Sequence, residues 1–140
     1  MLLNIGIAVF MLVVATAFHA VGMVLALHAI QKYEGESSKH PRLSRIYRVS
    51  GIILLMFLAS IMEVLVWAST FLALNAIQGL EKALYFSMVT FTSLGYGEIV
   101  LDERWRLLAS SEAGNGIIMF GWTTAIVIAS VQRIYHSEKS

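Results

Sequence analysis

No charged side chain precedes Lys32, and the apolar stretch left by that gap, residues 2–30, limits what the chain can become. A helix needs about 20 apolar residues to cross a bilayer, and in hydrocarbon only a structure that pairs its own backbone groups survives. A spanning helix meets both conditions. The competing reading is a secretory leader cleaved near Ala15-Thr16-Ala17. The stretch lacks a cationic start, however, and it is far longer than the roughly 7–15 apolar residues of such leaders. Two further segments of the same kind follow, residues 49–76 and 105–135. The composition agrees: 58% hydrophobic and 14% charged residues lie far from a soluble domain with its roughly 25% charged residues. The fold class expected is an all-α membrane protein with three transmembrane helices.

The net charge of +1 hides an uneven distribution. Residues 31–48 carry Lys32, Lys39, Arg42, Arg45 and Arg48 against Glu34 and Glu36, and such a loop stays in the cytoplasm. The N-terminus is then outside, the connection between the second and third spans is outside, and the tail, residues 132–140, is inside. Pro41 is expected to break the basic segment into a linker. That divides the chain into an N-terminal unit, residues 1–48, and a second unit, residues 49–140. With no cysteine, neither a disulfide framework nor a thiolate metal site is available. Lipid, not nucleic acid, is the expected surrounding.

Between the second and third spans lies Thr90-Phe91-Thr92-Ser93-Leu94-Gly95-Tyr96-Gly97-Glu98, preceded by a short helical stretch at residues 81–91. Alone, Gly-Tyr-Gly reads as an ordinary turn. Between two spans it resembles the selectivity filter of the potassium-channel pore family, T-x-T-T-V-G-Y-G-D, and particularly the small bacterial proteins of the two-transmembrane ion-channel class. The resemblance covers residues 78–135 and departs from the pattern at Ser93, Leu94 and Glu98, where threonine, valine and aspartate are usual. It implies a re-entrant pore helix and filter between the second and third spans, and a homotetramer around a central pore, in a bacterial inner membrane. K⁺ would be held by the carbonyls of Ser93, Leu94, Gly95 and Tyr96, which replace its hydration shell. Gly95 and Gly97 reach the left-handed backbone that aligned carbonyls require. Thr92 is counted with the filter, and Ser93 offers a hydroxyl to the innermost ion position. Closed symmetry is implied with it: one filter strand per chain on a shared axis demands a ring of copies.

The resemblance also assigns supporting residues. Tyr85 and Phe86 stand at the family's aromatic positions and are expected to buttress Tyr96; simple packing is the alternative. Glu98 is expected to support the filter from the outer mouth, whereas Asp102 and Glu103, beside Arg104 and Arg106, read as ordinary solvated charges. Glu112 and Asn115, three residues apart in a span where a carboxylate requires a partner, are expected to hydrogen-bond the pore helix from behind, at Ser87 or Thr90. Matching Gly116 to the inner-helix hinge turns Ile117, Phe120 and Thr124 toward the cavity and sets Ile128 near the inner constriction. Gly114, Gly116 and Gly121 have a second reading as close-packing sites between helices.

The family's minimal pore has two spans, so the first helix has another task. The first and second spans contain no arginine, which excludes a voltage sensor. The short tail leaves no ligand-binding domain, so gating is expected to be intrinsic, membrane-derived or absent. His19 and Glu63 lie at similar depth, and an intramembrane ionisable pair is a candidate site by default. Its readings are a structural hydrogen bond (His19 with Glu63 or Ser60), a pH sensor, or a ligand for haem b or a metal, with Met23, Met56 and Met62 as soft neighbours. The leading functional expectation is a non-enzymatic potassium channel subunit conducting K⁺ passively. The alternatives are a weakly selective or non-conducting pore-like protein and a membrane haem or redox-sensing protein on a channel scaffold.

Overall fold

A computed structural model of the chain describes residues 2–33 and 41–136. Four helices order it: α1 (Leu2–Tyr33), α2 (Pro41–Ala73), α3 (Leu80–Phe91) and α4 (Arg106–His136). No strand occurs among the described residues. The helices α1, α2 and α4 are long and apolar enough to cross a membrane; α3, with 12 residues, is not. Apolar side chains surround α1 on every face, as in a helix solvated by lipid and neighbours. The shorter α3 buries one face, Ala83, Phe86, Ser87 and Phe91, at the spacing of helical turns.

The second span differs from its sequence-based expectation at both ends. It begins at Pro41, not near Val49, and the proline opens the helix instead of breaking the segment. Proline suits the first helical position because its missing N–H would have no partner there and its φ is already helical. Arg45 and Arg48 therefore ride on α2, with Arg48 donating to Ser44 one turn back at 3.0 Å. The remainder of the basic loop, residues 34–40, and the last four residues of the tail, 137–140, lie outside the described residues.

At its other end α2 stops at Ala73, three residues short of Ala76. Asn75 takes a left-handed φ of 52°, its N–H donating to Leu72 O at 2.9 Å and that of Ala76 to Phe71 O at 2.9 Å. These are the two bonds of a Schellman motif, which satisfies the last carbonyls of a helix and turns the chain away. The turn delivers Gly79, φ 94°, to the start of α3.

In the packed protomer α1 lies against α2 and α4, α2 against α3 and α4, and α3 against α4. One apolar cluster gathers Trp67, Phe71, Phe86, Phe91, Leu108 and Met119 around α3. The other joins Ala26, Ile52, Met56, Ile126 and Ile134 at the far end of the spans. The α1–α2 seam is tight at Gly22, where an added Cβ would stand 3.0 Å from the Cβ of Ala59.

The Asn75 turn yields an expectation for thermal unfolding in detergent. Asn75→Val should lower stability by roughly 1–2 kcal/mol, the cost of left-handed backbone beside a Cβ, whereas Asn75→Gly should leave it unchanged within about 0.5 kcal/mol.

Candidate functional site

The segment after α3 is shaped by how that helix ends. Thr92 keeps helical angles, φ −79° and ψ −2°, and then Ser93 turns left-handed at φ 59°. The Ser93 N–H donates to Thr90 O at 2.9 Å and the Leu94 N–H to Val89 O at 3.0 Å, the same Schellman pair that closes α2. Serine in this conformation costs about 1–2 kcal/mol, and the two bonds to the end of α3 offset it. Left-handed φ recurs at Gly95, 56°, and Gly97, 82°. Every second residue from Ser93 to Gly97 is therefore left-handed, with Leu94 and Tyr96 not so. The Thr92 hydroxyl turns back to Met88 O at 2.7 Å. Leu94 and Tyr96 are 57% and 64% uncovered in the protomer.

Glu98 accepts a hydrogen bond from the Tyr85 hydroxyl at 2.6 Å, which pins the end of the segment back onto α3. Tyr85 lies outside the three spans, and the bond to Glu98 is the main reason its phenol is held above the ordinary value near 10, with desolvation and the Glu98 charge adding to it. Phe86 turns the other way, into the core, edge-on to Phe71 at 5.2 Å. Within the protomer one ring holds Glu98 and the other fastens α3 to α2. Glu103 meets Arg106 at 4.0 Å with both side chains exposed, a contact that contributes little. Asp102 caps the approach to α4 through its carbonyl, accepting from Trp105 N–H at 2.8 Å.

Behind α3, three helices meet on one hydroxyl. The Ser87 hydroxyl, fully buried, lies within reach of two acceptors that share its one proton, Val64 O of α2 at 3.1 Å and the Glu112 carboxyl of α4. Asn115, expected beside Glu112 on the same support, makes no such bond: neither of its buried amide atoms has a partner among the described residues. Three residues advance a helix by about 300°, so the rotation that aims Glu112 at Ser87 carries Asn115 off that line.

Gly116 takes its place in the contact. A Cβ there would stand 1.9 Å from the carbonyl oxygen of Phe91 and 2.8 Å from its carbon. Of the two readings of this glycine, close packing is the one with a visible cause, since the backbone of α4 rests directly on the end of α3. Gly114 and Gly121 have nothing within 4 Å of the corresponding point. Ile117, Phe120, Thr124 and Ile128 are all uncovered and follow one face of α4 at helical spacing. The opposite face, through Glu112, Met119, Ile126 and Ser130, is buried.

A second polar cluster lies between the spans. His19 and Glu63 are both fully buried, with Nδ1 of the imidazole 2.7 Å from Oε1 of the carboxylate. Nε2 is 3.1 Å from the Thr123 hydroxyl, and the Trp122 ring lies 5.4 Å from the imidazole. Ser60 instead donates to its own helix at Met56 O, and His28 bonds Val24 O. A haem or metal at His19 does not fit these residues: both ring nitrogens are engaged by protein groups, and Met62 is exposed on another face. Thr123 escaped sequence reasoning, which had weighed its neighbour Thr124. The signal was present, because Thr123 lies as many residues into α4 as His19 does into α1, so two helices entering from the same side bring them level.

Two expectations follow from these contacts. Gly116→Ala should destabilise the protein by roughly 1–3 kcal/mol, the scale of overpacking, while Gly121→Ala should be neutral or stabilising by up to about 1 kcal/mol; thermal unfolding compares them. The Tyr85 phenol should titrate above free tyrosine in an ultraviolet absorbance titration. Its bond to Glu98 needs the phenol proton, so its stabilising effect should be complete below about pH 10 and lost as pH rises through the raised value. Tyr85→Phe should abolish that loss.

Compared with known proteins, the chain matches the family model described as "Ion channel" over residues 59–133, more than half its length. No curated protein and no solved structure matches it. The matched region takes in the C-terminal part of α2, all of α3 and most of α4, together with the Ser93–Gly97 segment, the Glu112 contact and the uncovered face of α4. With three spans around that region, the chain is an integral membrane protein and belongs to the ion channel family of two-transmembrane, potassium-channel-like pores.

Proposed function

We propose that four copies of this chain close around an axis to form a potassium-selective pore, with α3 as pore helix and residues 92–97 as the filter. The observation that carries the reading is the alternation of left-handed residues at Ser93, Gly95 and Gly97. Such alternation rotates successive peptide planes so that neighbouring carbonyls face one side, where an ion stripped of water needs them. Non-helical backbone at membrane depth is tolerable only when protein surrounds it and it lines water. The uncovered Leu94 and Tyr96 and the uncovered face of α4 are what neighbouring copies and a water-filled cavity would cover.

The supporting residues take their roles from this reading. Glu98 and Tyr85 brace the outer end of the filter. Ser87 and Glu112 hold α3 from behind, and Gly116 seats α4 under Phe91. Ile117, Phe120, Thr124 and Ile128 line the cavity and inner mouth. The C-terminal end of α3, the negative end of its dipole, attracts a waiting cation. Charge placement orients the pore with the N-terminus outside and the C-terminus in the cytoplasm of a bacterial cell.

Ion flux into liposomes carrying the purified protein tests the proposal. K⁺ flux should exceed Na⁺ flux, and Gly95→Ala, which forces a Cβ onto left-handed backbone, should abolish selective conduction while the protein still assembles. Equal K⁺ and Na⁺ flux would replace this reading with that of a weakly selective pore.

A further inference from the structure

We infer that α1 is a latch on α4, and that His19, Glu63 and Thr123 are positioning residues for gating; the inference rests on the pore reading above. Among the described residues, two kinds of contact distinguish the two halves of α4. Its outer half is fixed to α3, by Glu112 on Ser87 and by the backbone approach of Gly116 to Phe91. Its inner half lies beyond both anchors. There Ile126 and Ile134 rest on Ala26, Ile52 and Met56, and apolar contact of this kind is non-directional and permits sliding. Thr123 stands where the outer anchors end, and it is gripped by a directional bond from α1.

The grip is itself fixed. Glu63 of α2 accepts from Nδ1–H of His19 at 2.7 Å, which sets the tautomer and orientation of the ring. In the neutral ring Nε2 is then the acceptor for the Thr123 hydroxyl, 3.1 Å away. Trp122 flanks the imidazole, and no atom of His19 is exposed. Among the described residues of α2 and α4, the titratable group facing the ring is Glu63; Trp122 and Thr123 do not titrate. Thr123 adjoins Thr124, a member of the uncovered stripe, and Ile128 follows one turn later. A shift of Thr123 therefore moves the lining of the inner mouth. Among the described residues α1 packs on α2 and α4 and not on α3, so it acts on α4 without resting on the pore helix.

The chain has no cysteine, so Ile128→Cys introduces a unique thiol at the inner end of the stripe, and its modification rate by a polar thiol reagent reads that end directly. In the assembled protein in liposomes, adding Thr123→Val should raise the rate. The isostere removes one buried hydrogen bond, which moves the latched-to-free ratio by roughly five- to tenfold, and labelling samples the most open positions α4 reaches. Thr123→Ser, which keeps the hydroxyl, should restore the original rate. His19→Asn, which shortens the reach to Thr123, should act like Thr123→Val, and the two combined should exceed neither. A thiol at Ile117, beside the outer anchor, should be unaffected. K⁺ flux should change with the Ile128 rate across these variants. Unchanged labelling of Ile128→Cys in both Thr123→Val and His19→Asn, in protein that still conducts, would overturn the latch and leave the pore reading standing. Labelling that responds in protein without ion flux above empty vesicles would uphold the latch on α4 and remove the pore reading instead.

Discussion

Two carboxylates buried among apolar helices decide which surfaces meet. In hydrocarbon a polar group has no water to return to, so each must end against a partner inside the protein. Glu112 ends on Ser87, and through that serine reaches the α2 backbone at Val64; Glu63 ends on His19 and, through the ring, reaches Thr123. Between them the two clusters tie all four helices together. Making such a bond between membrane helices is worth only about 0.6–2 kcal/mol, but leaving a buried partner unsatisfied costs about 1–3 kcal/mol, and more where that partner is charged. The asymmetry makes these contacts devices of register more than of stability: a slipped or rotated helix loses more than a correct one gains.

Register matters because the backbone contact next to them has no slack. Glycine at 116 lets α4 lie on the Phe91 carbonyl, and any residue with a Cβ would be driven into it. The Phe91 peptide is the last turn of α3 before Ser93 turns left-handed. The height of α4 therefore fixes the platform from which residues 93–97 start, and Glu112, one turn earlier, fixes that height. The bond between Tyr85 and Glu98 closes the same segment at its far end.

Much of this was legible in the sequence because hydrocarbon enforces simple rules. The three spans follow from apolar length, α3 follows from a short amphipathic stretch after Gly79, and a carboxylate at 112 in a span announces a partner on the neighbouring element. The limits are equally physical. Pro41 carries two opposite local meanings, helix start and helix break, and only the residues after it decide between them. Asn75 ends α2 early because asparagine tolerates left-handed backbone, a turn signal that sits inside an apolar run and is masked by it. Asn115 reads like Glu112 by spacing, yet a rotation of about 60° about the axis separates a bonded group from an unbonded one. Tyr85 and Phe86 are adjacent aromatics whose directions diverge by about 100°, so within the protomer one meets Glu98 and the other Phe71. Thr123 required matching depths across a separation of 104 residues, which no local window contains.

The sequence separation of the His19 contacts has a consequence for biogenesis. Ribosomal synthesis delivers helices in order, so α1 enters the bilayer carrying a histidine before either partner exists. Glu63 arrives 44 residues later and completes a helical hairpin whose Gly22–Ala59 seam is already complementary. That hairpin keeps the outward side of the imidazole waiting for Thr123, the last of the three to be made. The first two helices therefore form a receiving dock, and α4 enters a site whose polar hook has been set in advance.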